Sequence, residues 1–597
     1  MKKDHRLPDR FDVTKGYQNV TVAAQPSKTL NTAASWTLAA ALVAVILSMA
    51  VLSGVPPVDR DALTHHLAVP KLYLKHGGIY EIPAIPFSYY PMNLDLLYLI
   101  PLYFGNDIIP KYIHFAFALL TGYLIFGYLK QRTGKDFYGL LGALLFLSLP
   151  VVIKLSITVY VDLGLIFFST ASLLYVLKWA ANGYSARHLI LAGVFCGLAL
   201  GTKYNGLVTF FLLACLAPVL YVRGEGAALP PGKKPGRSPN GPEHHGGRAA
   251  LKAVASGVAF SVVALAVFSP WMIRSFIWTR NPVYPLYSSV FTPIEKRSDI
   301  GSPEAGDDGA EIGMNHFVAR KLVFKESLVE TLAIPIRIFF QGEDGDPKYF
   351  DGRLNPYLLL FPLFSFLGCR RLPRQLQNES MALAGFAVLY LLIAFFQTDM
   401  RIRYVTPIIP PLVILAVIGI SDLSVYIKGH SSSVFSQCGM GVLVLGVALF
   451  LVPNLQYAMK QFQIVEPLRY LSGDISRDDY IQKFRPEHAA MRYINRHLPP
   501  DARVLGVFLG NRRYYCDRDL IFDDTLETGI RSAGSAEALA IMLREKGFTH
   551  VIIRYGLFDK FILSRLSTDR LNLFQVFINN HTKSLFSEDG HILFELN

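Results

Sequence analysis

The feature that most constrains this chain is a series of apolar runs, most of them about 18–22 residues long, that recurs from residue 34 to residue 453. A run of that length crosses the hydrocarbon layer of a bilayer when helical, and a helix is the form that satisfies every backbone polar group inside its own segment. Composition agrees: 52% of the 597 residues are hydrophobic and only 17% are charged, too little polar surface for a soluble protein of this size. The net charge of +13 does not require a nucleic-acid partner, because Lys and Arg accumulate in the cytoplasmic loops of membrane proteins.

The spans are predicted at 34–55, 108–129, 136–154, 160–179, 189–202, 206–222, 251–272, 355–368, 380–397, 402–421 and 436–453. Gly201-Thr202-Lys203 interrupts the 189–222 run and predicts a turn at the membrane surface. Basic residues sort to one side of this pattern: Lys2, Lys3, Arg6 and Arg10; Lys130, Arg132 and Lys135; Lys178 and Arg187; Lys233, Lys234, Arg237 and Arg248; Arg370, Arg371 and Arg374. That parity predicts a cytoplasmic N-terminal segment (1–33) and a transmembrane core (34–453). It also predicts outer loops at 56–107 and 273–354, and an outer, periplasmic domain over 454–597. Residues 224–250 have the Gly, Pro and basic composition of a flexible cytoplasmic linker, and 298–313 that of a mobile outer loop. In the tail, a helical pattern at His488–His497, an apolar strand from Val504, a helix from Ala536 and a strand at Val551–Ile553 predict a small α/β domain. Four of the five cysteines, Cys196, Cys215, Cys369 and Cys438, fall in or beside apolar runs and Cys516 in the tail; no pair has metal-ligand spacing.

Function is sought where polar groups meet the membrane without an evident structural need. Four such places share the outer side. The first is PPVDRDALTHHLAVPKLYLKHGGIYEIP at 56–83. Leu63, Leu67 and Leu74 suit a short amphipathic helix lying on the membrane surface; Asp61 and His65 share one face of it, with His66 beside them. Asp59 or Asp61 could equally N-cap that helix. The second is Asp162, at a span's start, where the helix dipole alone favours a carboxylate. The third is Lys203 with Tyr204, where a snorkelling lysine is the plain alternative. The fourth pairs Arg274 and Arg280 with Arg401 and Arg403. Basic residues there run against the positive-inside bias and suit a bound anion, most simply a phosphate. Together these groups suit cations neutralising a phosphate leaving group while a carboxylate takes a proton from an attacking hydroxyl or amine.

At these same residues the chain resembles the GT-C superfamily of integral membrane glycosyltransferases, and within it the bacterial protein O-mannosyltransferase and aminoarabinose transferase group. The resemblance rests on the order and sidedness of DALTHHL from Asp61, YPMNLDLLYLIPLYFG (90–105), TVYVDLGLIFF (158–168), GLALGTKYNGL (197–207), PWMIRSFIWTRNPVYP (270–285), RIRYVTPIIPPL (401–412) and MRYINRHLPPDARVL (491–505). It implies an α-helical polytopic membrane protein of about eleven transmembrane helices with a small C-terminal α/β domain. It further implies a bacterial inner-membrane enzyme that moves a hexose or pentose from a polyprenyl-phosphate donor to a glycan, lipid or protein acceptor outside the cytoplasmic membrane. In this resemblance Asp61 matches the catalytic base, with Asp59 the second choice, and Asp162 the other acidic position. Lys203, Arg274, Arg401 and Arg403 would contact the donor phosphate; His65, His66 and Tyr204 are further site candidates. Arg60 separates two aspartates that are adjacent in some relatives. Some relatives bind a divalent metal, for which Asp61 and Asp162 supply two oxygen ligands and no third is evident. The rival readings are a transporter or flippase of a lipid-linked sugar and a non-catalytic scaffold. No repeat relates the two halves, and the notable charges lie at one face rather than the midplane.

Overall fold

The computed structural model describes residues 28–227, 243–291, 316–396, 400–430 and 433–597. The basic residues before 28, the centre of the expected linker (228–242) and the expected mobile loop at 298–313 lie outside the described residues. Every predicted span falls on a helix or a bent helix pair. Among the described residues, eight helices are long and apolar enough to cross a membrane, and a bent pair makes a ninth. Two predicted spans are shorter apolar helices, Ala186–Leu200 and Tyr357–Leu367.

The bent pair has a local cause. Asp136–Leu147 and Pro150–Ser156 meet at 69° because Pro150 has no N–H to donate and holds Leu149 extended (φ −60°, ψ 136°). The backbone groups this break frees find partners inside the bundle. The Val151 N–H donates to the Arg353 carbonyl at 3.1 Å, and Tyr357 Oη donates to the Leu145 carbonyl at 2.6 Å. The Ala186–Leu200 helix packs against Glu243–Thr279 through Gly193 and Gly197. A Cβ on Gly197 would meet the Ala264 carbonyl oxygen at 2.5 Å, so only a glycine permits this approach.

After the first span (Lys28–Ser53) the chain is gathered back at once. Lys111, buried in the Ile109–Thr133 helix, donates to the carbonyls of Val55 at 2.9 Å and Pro56 at 3.3 Å. This fixes the exit toward Asp61. The amphipathic helix expected on the membrane surface is instead two pieces, a buried wide turn at Ala62–His66 and a helix at Ala68–His76 that is buried at its start and exposed at Lys75 and His76. Residues 62–70 are all buried, because this segment lies between the Asn93–Tyr103 helix and the tail. Gly77, in the left-handed region (φ 82°), ends it and donates back to Tyr73 and Leu74.

The tail is an α/β domain. Its strands are β1 (Arg503–Val507), β2 (Asp519–Ile521), β3 (His550–Arg554), β4 (Thr582–Glu588) and β5 (His591–Leu596), ordered β2-β1-β3-β5-β4. β1 pairs parallel with β2 and β3; β5 pairs antiparallel with β3 and β4. The β4–β5 hairpin turns at Asp589-Gly590, both at positive φ (49° and 72°), as a two-residue hairpin requires. Ala536–Glu545 and Thr568–His581 cover the sheet through Leu539, Leu543, Phe574 and Phe577.

Candidate active site

A cavity of about 1700 Å³ opens where the first loop, the 202–205 turn, the Arg401–Tyr404 segment and the tail meet. Its wall includes Asp61, His65, His66, Lys203, Tyr204, Arg401 and Arg403, residues far apart in sequence.

Asp61 pairs with Arg403. The guanidinium Nη1 donates to Asp61 Oδ2, and Arg403 also lies over the rings of Tyr160 (5.4 Å) and Tyr404 (5.2 Å). No side-chain capping bond is made by Asp61 to the turn it precedes. Burial pushes its proton affinity up, but the Arg403 charge, helped by His65 and His66, holds the carboxyl well below the usual carboxylate range. His65 stacks on Phe87 at 4.4 Å and bonds Thr64 through Nδ1 at 2.8 Å. Burial, with the neighbouring His66 second, holds its imidazole well below the ordinary value.

Asp162 pairs with Lys203 at 2.7 Å, with the carboxylate fully covered and the ammonium partly exposed to the cavity. Asp162 opens the Asp162–Ala181 helix but makes no capping bond; the N–H of Leu163 is taken instead by His114 Nε2 at 2.9 Å. Lys203 sits in the break after Leu200, and Asn93 holds that break in place. The Asn93 N–H donates to the Gly201 carbonyl at 2.9 Å, while Trp271 Nε1 donates to Asn93 Oδ1 at 2.7 Å. A Cβ on Gly201 would fall 2.2 Å from Asn93 Nδ2. Lys203 Nζ lies 5.0 Å above the Tyr404 ring, so the Tyr404 ring is close to both cations that bear the two carboxylates.

The remaining candidates are placed differently. Arg401 lies on the cavity wall and 3.6 Å from Asp351. Tyr204 lines the cavity and donates to the Tyr284 carbonyl at 2.9 Å. Arg274 is not part of the wall. Its Nη2 donates to the carbonyls of Tyr89 (2.6 Å) and Tyr90 (2.8 Å), and its guanidinium is flanked by Trp271 and Trp278 at 4.5 and 4.7 Å. Asp59 is also off the wall; its carbonyl accepts the Leu63 N–H.

Other wall residues escaped the sequence reading. Asp95 is buried in the Asn93–Tyr103 helix and bonds His66 Nδ1 at 2.7 Å. From the tail, Arg513 stacks on Phe522 at 5.0 Å, and both reach the cavity. Burial pushes the Arg513 guanidinium down to about 10. The signal for the tail's participation was the basic-aromatic stretch Arg512-Arg513-Tyr514-Tyr515, dense in groups that seek partners. Among the described residues no cluster of three or more His, Cys, Asp or Glu is arranged to hold a metal ion. Asp61 and Asp162 face different cations rather than a common centre.

Residues 84–227 match the family model described as dolichyl-phosphate-mannose-protein mannosyltransferase. That stretch contains Asp95, Asp162 and Lys203. Among curated proteins none matches the chain in sequence. Among solved structures the chain is similar to ArnT from Cupriavidus metallidurans in the apo state. Identity is 14%, coverage is 94% of this chain and 98% of that one, and the TM-score is 0.53. The same protein bound to undecaprenyl phosphate aligns at 14% identity over 93% and 97% of the two chains, with a TM-score of 0.51. The resemblance read from the sequence therefore holds at the level of the fold.

Proposed function

We propose that this chain is a membrane glycosyltransferase that moves a sugar from a polyprenyl-phosphate donor to an acceptor at the outer face of the membrane. The observation that carries the reading is that Arg403 and Lys203 both stand on one cavity wall, Arg403 paired with Asp61 there and Lys203 paired with Asp162, which is buried off the wall. A phosphate can replace Asp61 on Arg403, while Lys203, partly exposed to the cavity, can meet a phosphate and keep Asp162. Breaking the bond between sugar and phosphate adds negative charge to the phosphate. The two cations then bind the departing polyprenyl phosphate more strongly than the intact donor, which is the condition for lowering the barrier. When Arg403 turns to the phosphate, Asp61 is released to accept a hydrogen bond from the acceptor's hydroxyl or amine and orient it. Arg401 reinforces the phosphate end, and Asp162 keeps Lys203 in place. The family match over 84–227 and the undecaprenyl phosphate bound by ArnT support a polyprenyl-phosphate donor. The loop charges support a periplasmic tail, which on this reading roofs the cavity and admits the acceptor. Residues 34–453 then form the catalytic core.

Two measurements test the proposal. Mass spectrometry of surface glycans, lipids and proteins from a deletion strain is expected to show one sugar modification missing and restored by the full chain. The purified chain is expected to bind undecaprenyl phosphate. An unaltered envelope together with no binding would remove the reading.

A further inference from the structure

The 273–354 loop contains a segment whose polarity is reversed. Its helices His316–Phe324, Leu328–Leu332 and Ile334–Arg337 follow one another after short breaks, each packed on the next. A segment of this kind facing water would bury its leucines and expose its charges. Here Arg320 and Glu326 are covered, at 3% and 4% exposure. The Arg320 guanidinium donates to the Glu326 carboxylate through Nε at 2.8 Å and Nη2 at 2.7 Å, and to the Lys348 carbonyl at 2.8 Å. Arg337 adds a bond to the same carboxylate at 3.1 Å. Meanwhile Leu322, Val323, Leu328, Val329, Ile336 and Phe340 are each more than half exposed. So many exposed apolar side chains within one short segment mark a contact with a membrane or with another protein.

Position and charge select the membrane. Phe317 packs edge-on against Phe395, with 5.9 Å between ring centroids, and Ile334–Arg337 packs against the same Arg374–Phe395 span. That span exposes Val388, Leu389 and Leu392 where lipid lies, so the apolar surface of the segment continues a lipid-facing one. Lys321 and Lys325 are exposed, and among the described residues neither is ion-paired. Their stems can lie along the apolar surface while the ammonium groups reach a phosphate. The Glu330 carboxylate is already satisfied by the N–H and Oγ of Ser327, both at 2.8 Å. The buried Arg320–Glu326 pair, fully bonded, presents no charge to acyl chains. We propose that residues 316–340 lie in the membrane interface at the cavity end of the bundle. The exposed apolar side chains enter the acyl region beneath the headgroups, and Lys321 and Lys325 meet the phosphates of anionic phospholipids. Ile393 and Phe396, at the end of the same span, line the cavity, so this anchor sets the depth at which the cavity mouth meets the leaflet.

The test uses the full chain with Cys215, Cys369 and Cys438 changed to Ser, carrying a bimane fluorophore at Leu328→Cys and reconstituted into phosphatidylcholine vesicles. Asp501→Cys, at an exposed position of the tail, serves as the water reference. Acyl-brominated phosphatidylcholine is expected to quench the Leu328 label strongly and the Asp501 label hardly at all, and aqueous iodide is expected to do the reverse. Brominated phosphatidylglycerol is expected to be enriched at the Leu328 label over brominated phosphatidylcholine by about fivefold for each lysine. Lys321→Gln with Lys325→Gln is expected to erase that preference. Iodide quenching at Leu328 as strong as at Asp501 puts the segment in water and overturns the inference. Shielding from both quenchers puts a protein partner or a second copy on this surface and overturns it equally. Equal quenching by the two lipids, or an undiminished preference in the double lysine variant, overturns the contact with anionic headgroups. If Leu328→Cys does not reach the membrane folded, Ile336→Cys decides by the same comparison. None of these readings measures sugar transfer, so each outcome leaves the glycosyltransferase reading as it stands.

Discussion

The carbonyl oxygen of Leu63 accepts the backbone N–H groups of Tyr514 and Arg513, at 3.1 and 3.2 Å. Leu63 lies two residues beyond Asp61, so a loop of the tail is bonded directly to the turn that carries this carboxylate. Lys71 strengthens the joint by donating to the carbonyls of Tyr514 (2.7 Å) and Cys516 (3.2 Å) and to Asp517 (2.8 Å). Lys71→Ala is expected to weaken the docking by about 1–2 kcal/mol, since these are charge-assisted bonds at a partly exposed site. Hydrogen exchange over 511–517 is expected to quicken by about 5–30-fold. Exchange no faster than in the parent chain would show that the tail docks through its other contacts.

Asp61→Asn keeps the size of the side chain and removes the charge that balances Arg403. Expression in the membrane is expected to stay at the parent level, while transfer falls by about 10²–10³-fold. The comparison is made on quantified membrane-embedded protein. Full activity in this variant would falsify the place given to Asp61 at the reacting centre.

Each part of this architecture left a different trace in the sequence. The spans were legible because the bilayer demands long apolar helices, and even the bend at Pro150 fell inside one predicted run. Asp61, Asp162, Lys203 and Arg403 stood out because charge beside a membrane needs a reason. What joins them was not legible. Arg403 and Asp61 are 342 residues apart, and only the folded bundle selects that partner over Arg401 or Arg274. Asp95 was hidden in the apolar stretch YPMNLDLLYL, where one acid is easily taken for a helix-end residue. The β4–β5 hairpin had its Asp589-Gly590 turn signal, but the short amphipathic strands on either side lack the apolar run that marked β1 and β3.

Lys203 and Arg403 stand on the cavity wall, each paired with one carboxylate, whereas Arg274 is off the wall and bound to the Tyr89 and Tyr90 carbonyls between two tryptophans. Lys203→Ala and Arg403→Ala are therefore expected to weaken undecaprenyl phosphate binding by about 10–100-fold, the loss of one charge-assisted contact each. Arg274→Ala is expected to lower thermal stability in detergent more than it lowers affinity, because it leaves two carbonyls without their donor. Affinity measurements and melting curves on the three purified variants separate these outcomes. Binding lost in Arg274→Ala at unchanged stability would place that arginine on the phosphate instead.

The tail carries its own response to acid. His591, only 1% exposed at the start of β5, is held below the ordinary imidazole value by burial, against the opposing pull of Glu487. Burial likewise lowers His488 and His550. A histidine whose folded value is depressed is favoured in its neutral form by the fold. Its contribution is fully present above the unfolded value of about 6.5 and is lost as the pH falls from there toward the folded value, because the unfolded chain then binds more protons. The tail is therefore expected to loosen below about pH 6.5, seen as faster hydrogen exchange in β3 and β5 after correction for the intrinsic rate. His591→Phe removes one of these titrations and is expected to flatten the response, with Arg554 and Asp589 left as the charged neighbours. A response equally steep in that variant would assign the acid sensitivity to His488 and His550, which Asp478 and Glu595 face.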